Sequence, residues 1–113
     1  MANGPCAALL DRVGGDEQIF LELCDAFLDD APKRLELIHS ALVAGDARTL
    51  QREAHAFKGS AGAFDAVDVV SVARQLEQLG ATGAIGDAHH LWKLLELRSR
   101  TLLDAVRAGT ERR

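Results

Sequence analysis

His55 is the residue whose surroundings in the sequence point most directly to chemistry. At the spacing of a helix, Lys58 lies one turn after it, Arg52 one turn before it and Arg48 two turns before it. An exposed imidazole among cations can act on a partner molecule, whereas a solvated surface histidine is the common alternative. Composition and spacing alone leave these two interpretations evenly balanced.

The segment that carries His55 has a regular apolar seam, which sets the direction in which the histidine points. The seam is centred between Ala54 and Phe57, and at about 100° per residue His55 lies roughly 130° from that centre. This angle predicts an imidazole on or near the solvent face. The seam has the spacing of antiparallel helical bundles and consists of Leu50, Ala54, Phe57, Ala61 and Phe64.

Two glycines occur on the predicted outer side of the same helix. In a helix interior, Gly59 and Gly62 each cost about 1 kcal/mol relative to alanine. Close packing of a neighbouring helix would explain such glycines, but Gly59 lies almost opposite the buried seam. A partner that approaches from outside explains them better. The candidate partner-binding residues are therefore Arg48, Arg52, Gly59 and Gly62.

The elements that position this segment are predicted to be helices, because alanine and leucine dominate and β-branched runs are scarce. Apolar residues at three- and four-residue spacing, separated by glycines, indicate five helices. We expect an all-α fold, an antiparallel four-helix bundle with a short additional N-terminal helix. The predicted helices cover about residues 5–13, 17–44, 47–64, 67–79 and 88–108.

Cap and turn residues mark the ends of these helices. Asp16, Asp46 and Asp87 are predicted N-caps, and Gly80 is predicted to end the fourth helix. Pro32 falls inside the long second helix and removes one backbone donor. Because the apolar stripe stays in phase across Pro32, a kink is favoured over a split into two helices.

Size and composition exclude several classes of function. With 113 residues the chain has room for one domain, expected over residues 1–113 with a core at about 16–108. The formal net charge of -4 argues against nucleic acid as a partner, and no apolar run is long enough to span a membrane. The sequence has no glycine-rich phosphate loop, which excludes a complete ATP-dependent kinase. The spacing of its cysteines and histidines does not fit a metal site. Since no signal peptide is visible, we expect a cytoplasmic protein.

The stretch HAFKGSAGAFDA, residues 55–66, resembles the signature of histidine-containing phosphotransfer (HPt) domains. That signature has a histidine, any residue, an apolar residue, lysine and glycine, followed by small residues, an apolar residue, glycine and alanine. The matching positions are His55, Phe57, Lys58, Gly59, Ser60, Ala61, Phe64 and Ala66. With similar features at residues 41–46 and 76–77, the resemblance covers about residues 16–108.

The resemblance implies a phosphoryl carrier rather than an enzyme with its own substrate pocket. His55 would accept a phosphoryl group on Nε2 from a response-regulator receiver domain or a hybrid histidine kinase, and pass it to another receiver aspartate. Lys58 would stabilise the phosphoryl oxygens, and Gly59 would leave space for the partner. Because the receiver would bring the divalent metal, the chain would need no metal or other cofactor of its own.

Two residues are candidates for orienting the imidazole, and one position departs from the family. Glu77 matches the position of an orienting polar side chain in some members and could accept the Nδ1 proton, with Gln75 as its rival. A solvated surface carboxylate is an equal alternative for Glu77. Asp65 replaces the family's second glycine. Because aspartate tolerates left-handed conformations, we expect an intact fold with a slightly altered helix junction.

Two other functions stay open beside that of the carrier. One is the phosphoacceptor domain at the N-terminus of a chemotaxis-type histidine kinase, which would continue into dimerisation and ATP-binding segments. The other is an HPt-like docking module without phosphotransfer, against which the complete histidine, lysine and glycine set argues. The exposed helices lack a second apolar face, which favours a monomer.

Overall fold

Five α-helices make up the part of the chain that the structure, a computed structural model, describes, which is residues 4–86 and 88–112. They are α1 (Pro5–Arg12), α2 (Glu17–Ala44), α3 (Ala47–Gly62), α4 (Val67–Thr82) and α5 (His89–Glu111). No strand occurs among these residues, so the predicted all-α class is confirmed. None of the described helices is long and apolar enough to cross a lipid bilayer.

The four long helices close into a ring. Helix α2 packs on α3, α3 on α4, α4 on α5, and α5 again on α2, while α1 packs on α5 and α2. The short connections reverse the chain between successive long helices, which gives the predicted antiparallel four-helix bundle. The bundle is 42 Å long, and α2 runs its whole length, since 28 residues rise about 1.5 Å each.

One apolar core lies between the four helices, and each helix supplies residues from one stripe. The seam of α3 is buried as its spacing predicts, with Phe57 and Leu50 fully enclosed. The largest fully buried apolar side chains of the described residues are Phe20, Phe57, Ile38, Leu50, Leu76, Leu95, Val69, Val72 and Val106. The opposite side of α3 is thereby left facing solvent.

The predicted end of the fourth helix at Gly80 is wrong. Helix α4 continues to Thr82, and Gly83, at φ 78°, caps its C-terminus in the left-handed conformation. Gly80 is instead buried against α3, where a Cβ would lie 2.7 Å from the amide nitrogen of Gln51 and 2.8 Å from the carbonyl oxygen of Ala47. Its missing side chain lets the two helices approach each other closely.

The caps that begin α2 and α3 form as predicted. Asp16 accepts a hydrogen bond from the amide of Ile19 at 3.1 Å, and Asp46 accepts one from the amide of Thr49 at 3.1 Å. These bonds satisfy amides that have no partner inside the helix. Asp87, the predicted cap of α5, lies outside the described residues.

Other boundaries differ slightly from the prediction. Helix α2 is continuous through the exposed Pro32, so the alternative of two separate helices is wrong. Helix α3 ends at Gly62, about two residues earlier than the apolar pattern suggests, and α5 extends to Glu111 rather than to about residue 108. End residues are the least determined part of an apolar pattern, because the last turn contributes few buried contacts.

The turn between α3 and α4 accommodates the aspartate that replaces the family's glycine. Asp65 adopts the left-handed conformation, with φ 53°, which aspartate tolerates better than most residues. Its carboxylate also pairs with the guanidinium of Arg12, the last residue of α1. The turn is therefore intact, and an ion pair links it to the short N-terminal helix.

Candidate functional site

The solvent face of α3 presents His55 as its spacing predicts. The imidazole side chain is 67% exposed, midway along a helix whose opposite face is enclosed by the core. One turn further on, Gly59 is exposed, and a Cβ built on it or on Gly62 would meet nothing within 4 Å. Neither glycine is required for packing inside the chain, and both leave the surface beside the imidazole bare.

A single carboxylate from α4 contacts both His55 and Lys58. Oε2 of Glu77 lies 2.6 Å from Nδ1 of His55, and Oε1 accepts a hydrogen bond from Nζ of Lys58 at 2.7 Å. The Glu77 side chain is only 19% exposed, so these two contacts replace most of its water. We call this arrangement of His55, Lys58 and Glu77 the carboxylate bridge.

The electrostatics of the carboxylate bridge keep Glu77 ionised. The hydrogen bond from Lys58 lowers the pKa of Glu77 most; partial burial opposes this effect, and the contact with His55 lowers the pKa further. An ionised carboxylate only accepts hydrogen bonds, so Nδ1 of His55 must carry the proton that is shared with Oε2. In the neutral ring the other nitrogen, Nε2, then has a free lone pair, and the side chain that carries it is 67% exposed.

Gln75, the rival of Glu77, is not brought to the histidine. Residues that are two positions apart on a helix point about 200° apart around its axis, so Gln75 lies on the far side of α4 from Glu77. It is exposed, and its amide nitrogen donates to the carbonyl oxygen of Ser71 in its own helix at 3.4 Å. The structure therefore places Glu77 at the imidazole, and Gln75 makes no contact there among the described residues.

Arg48 and Arg52 lie on the same open face, towards the start of α3. Both are exposed, and Nε of Arg52 donates to Oε2 of Glu53 at 3.2 Å. Sequence reasoning missed Glu53, a buried carboxylate that also accepts a hydrogen bond from Arg34 of α2 at 2.7 Å. A glutamate directly before the seam residue Ala54 was the available signal for this contact.

The remaining histidines have other surroundings. His39 stacks on Trp92 with ring centroids 4.8 Å apart and an interplanar angle of 17°, at the contact of α2 with α5. His89 and His90 are exposed at the start of α5. Across residues 4–86 and 88–112, no three histidine, cysteine, aspartate or glutamate side chains come together in a way that could hold a metal ion.

Comparison with known proteins agrees with the fold. The family model of the Hpt domain matches residues 22–109. Among solved structures, the chain resembles histidine-containing phosphotransfer protein B (HptB) from Pseudomonas aeruginosa PAO1, with a TM-score of 0.86 and 28% identity over 95% of this chain and 93% of that chain. Comparison with curated proteins gives no match. Because the family model covers most of the sequence and the bundle superposes on that of HptB, the chain belongs to the family of Hpt domains.

Proposed function

We propose that the chain carries a phosphoryl group on Nε2 of His55 between receiver-domain aspartates. Histidine phosphotransfer in a two-component phosphorelay is the function to which the family and the match to HptB assign the chain. The assignment of His55 is supported by the carboxylate bridge, because Glu77 bonds Nδ1 and leaves the nucleophilic nitrogen free on an open surface. Among the described histidines, His55 is the one that has its Nδ1 bonded to a carboxylate, the ammonium of Lys58 beside it and a neighbouring surface that Gly59 leaves open.

The transfer step needs no base to act on the attacking nitrogen. The lone pair of Nε2 forms a bond to phosphorus of an aspartyl-phosphate, the bond from phosphorus to the aspartate oxygen breaks, and its electron pair leaves with the carboxylate. The ring then carries a positive charge, and Glu77 faces that charge across the Nδ1 proton. In onward transfer a receiver aspartate attacks phosphorus, and the breaking P–N bond returns its electron pair to Nε2.

Lys58 and Gly59 serve the phosphoryl group in different ways. One hydrogen of the Lys58 ammonium is used by Glu77, which leaves two donors for phosphoryl oxygens. The side chain is 25% exposed and, like other helical side chains, leans towards the N-terminus of α3, and therefore towards His55. Gly59 offers a surface without a side chain, on which the loops of a receiver active site can rest.

The chain acts as a carrier rather than as a free-standing enzyme in this proposal. Its partners are receiver domains of response regulators and, as a donor, a hybrid histidine kinase; neither nucleic acid nor a membrane is a partner. The receiver supplies the divalent metal that neutralises charge on the phosphoryl group, so the chain itself uses no cofactor. We further propose that it works as a cytoplasmic monomer.

Phosphotransfer profiling tests the assignment. The chain is mixed with each phosphorylated receiver domain of its organism, and acid-labile label on the chain is followed over time. His55→Gln is expected to abolish labelling while leaving the helical circular-dichroism signal unchanged. His89→Gln, another exposed histidine, is the matched control and is expected to label like the wild type.

Each outcome of the profiling separates the candidate functions. Full labelling of His55→Gln would move the phosphorylation site to another residue. A wild-type chain that binds receivers without accepting label would be a docking module. Labelling by an ATP-fed chemotaxis-type kinase, and by no receiver, would identify the chain as a phosphoacceptor domain of such a kinase.

A further inference from the structure

We propose that Arg52 binds a carboxylate on the surface of the docking receiver domain, and that Glu53 and Arg34 hold it ready to do so. The inference rests on the proposed phosphotransfer at His55 and adds the chemistry of a second contact with the same partner. Its basis is a chain of ion pairs that starts on α2, passes through the interior side of α3 and ends at the open face beside His55.

Glu53 is the centre of this chain of ion pairs. Its side chain is 9% exposed, and its two oxygens accept different hydrogen bonds: Oε1 from Nη1 of Arg34 at 2.7 Å, and Oε2 from Nε of Arg52 at 3.2 Å. Arg34 is fixed in turn by Asp30, which accepts from its Nε and Nη2 at 3.2 and 3.1 Å. A buried carboxylate needs such partners, so its position is strongly determined.

The outer end of Arg52 is left free by this arrangement. The side chain is 64% exposed, and of its donors only Nε has a hydrogen-bond partner within the described residues. Its two terminal nitrogens form a planar fork whose geometry matches a carboxylate. Because Glu53 already restricts the guanidinium, binding loses less side-chain entropy than it would for an unrestrained arginine.

The direction of the side chain favours a partner carboxylate over the phosphoryl group as the ligand. Arg52 lies one turn before His55, and helical side chains lean towards the N-terminus, so its guanidinium extends away from the imidazole. Its charge acts on Asp46 at the start of α3: the hydrogen bonds from Thr49 lower the pKa of that carboxyl most, and Arg52 adds to the effect. The guanidinium therefore lies towards the start of α3, at the edge of the surface around His55 on which the receiver domain docks.

Two measurements on Arg52→Ala distinguish these ligands. The first is kcat/KM for transfer from the phosphorylated receiver domain that labels the wild type fastest, measured at low and at high salt. We expect it to fall about fivefold at low salt and to depend less on salt, as for other interfacial ion pairs. The second is the lifetime of phosphohistidine in the isolated chain, which we expect to be unchanged. An unchanged kcat/KM, or a shortened lifetime, would overturn the proposal.

A double-mutant cycle tests whether Glu53 acts through Arg52. Glu53→Gln removes the charge that holds the guanidinium, and we expect it to lower kcat/KM about threefold in the wild type but not in an Arg52→Ala background. An equal loss in both backgrounds would make Glu53 a structural residue only. Arg100→Ala removes one exposed positive charge on α5, which does not pack against α3 among the described residues, and is expected to leave kcat/KM unchanged.

Arg52→Lys keeps the test decisive if Glu53→Gln fails to fold. Lysine keeps the charge at an exposed helix position but has no planar fork, so we expect only partial recovery of kcat/KM relative to Arg52→Ala. Full recovery would show that the positive charge alone matters, and it would overturn the proposal that Glu53 holds the planar guanidinium of Arg52 ready for a carboxylate. If no receiver labels the wild type, the proposed function fails and this inference with it, whereas normal labelling with an unaffected Arg52→Ala overturns the inference alone.

Discussion

Removing the carboxylate of Glu77 should slow phosphoryl transfer to His55 while leaving the fold intact. The carboxylate faces the ring across the Nδ1 proton at 2.6 Å, and the ring becomes positively charged as Nε2 bonds to phosphorus. Glu77→Gln keeps an oxygen that can accept the Nδ1 proton but removes the charge. Glu77→Ala removes both, so it should be the slower of the two variants.

The size of the effect follows from the distance and the exposure of the pair. A carboxylate about 4 Å from the centre of the ring charge contributes about 1 kcal/mol in water-like surroundings and about 4 kcal/mol at a partly buried site. His55 is 67% exposed and Glu77 19% exposed, which places the pair nearer the first limit. A loss of about 1–2 kcal/mol corresponds to transfer that is about 5- to 30-fold slower in Glu77→Gln.

The assay is rapid-quench measurement of label on the chain after mixing with a phosphorylated receiver domain in excess. Saturating receiver separates the transfer step from binding, so the effect should lie in the maximal rate rather than in the half-saturating concentration. Gln75→Ala is the matched control, because it removes a polar side chain of α4 that, among the described residues, bonds within its own helix and not to His55. Its transfer rate and melting temperature should equal those of the wild type.

A Glu77→Ala variant that folds normally and accepts label at the wild-type rate would refute this reasoning. The carboxylate bridge would then be a surface ion pair without influence on the nucleophile. A slower rate for Gln75→Ala than for Glu77→Ala would instead assign the orienting role to Gln75.

Further predictions concern the other residues of the site and the packing of α3 on α4. Lys58→Ala should shorten the phosphohistidine lifetime or slow transfer with little change in melting temperature; an unchanged rate and lifetime would leave Lys58 as a solvated lysine. Gly59→Gln should keep or raise the melting temperature and slow transfer at least about tenfold by blocking the partner's approach, and a native rate would show that the bare surface is not needed. Gly80→Ala should lower the free energy of unfolding by about 1–3 kcal/mol, because its Cβ would overlap backbone atoms of α3. Gly59→Ala, at an open position, should instead raise the free energy of unfolding by up to about 1 kcal/mol. Denaturant titration in which the two variants are equally stable would contradict the close contact between α3 and α4. The folded-state pKa of Glu77 lies below its ordinary value of 4.5, so the contribution of Glu77 to stability is present above pH 4.5 and is lost as the pH falls through the folded-state pKa. Glu77→Gln should therefore make the free energy of unfolding less dependent on pH below about 4.5. An identical pH dependence in the variant and the wild type would contradict the pairing of Glu77 with Lys58 and His55.

Local patterns were sufficient for the number and approximate extent of the helices and for the exposure of His55. The seam of α3 repeats at helical spacing, and burial of that seam forces the imidazole on the opposite side into solvent. The caps Asp16 and Asp46 act on amides three residues away, so they too are properties of short segments. The resemblance in residues 55–66 then connected this exposed histidine with phosphotransfer.

Glycines illustrate where a local pattern becomes ambiguous. Gly59 and Gly80 both occur in helical segments, yet the first is open to solvent and the second contacts the backbone of a neighbouring helix. Sequence reasoning took Gly80 as a helix end, because a glycine after an apolar stripe is the usual C-terminal signal. The distance of α4 from α3 at that position is a property of the pair of helices, which neither segment contains.

The sequence by itself determined which segments are helical, to within a few residues at their ends, which face of α3 is open and that a histidine and a lysine share that face. Only the tertiary structure decided that Glu77, rather than Gln75, contacts the imidazole. It also decided that the buried Glu53 pairs with Arg34 of α2 as well as with Arg52 on the open face of α3. The contacts of Glu77 with the imidazole and of Glu53 with Arg34 join residues at least 19 positions apart in the sequence. They depend on the rotation and axial position of one helix against another, which the packing of the whole core sets, and that packing involves all four long helices at once.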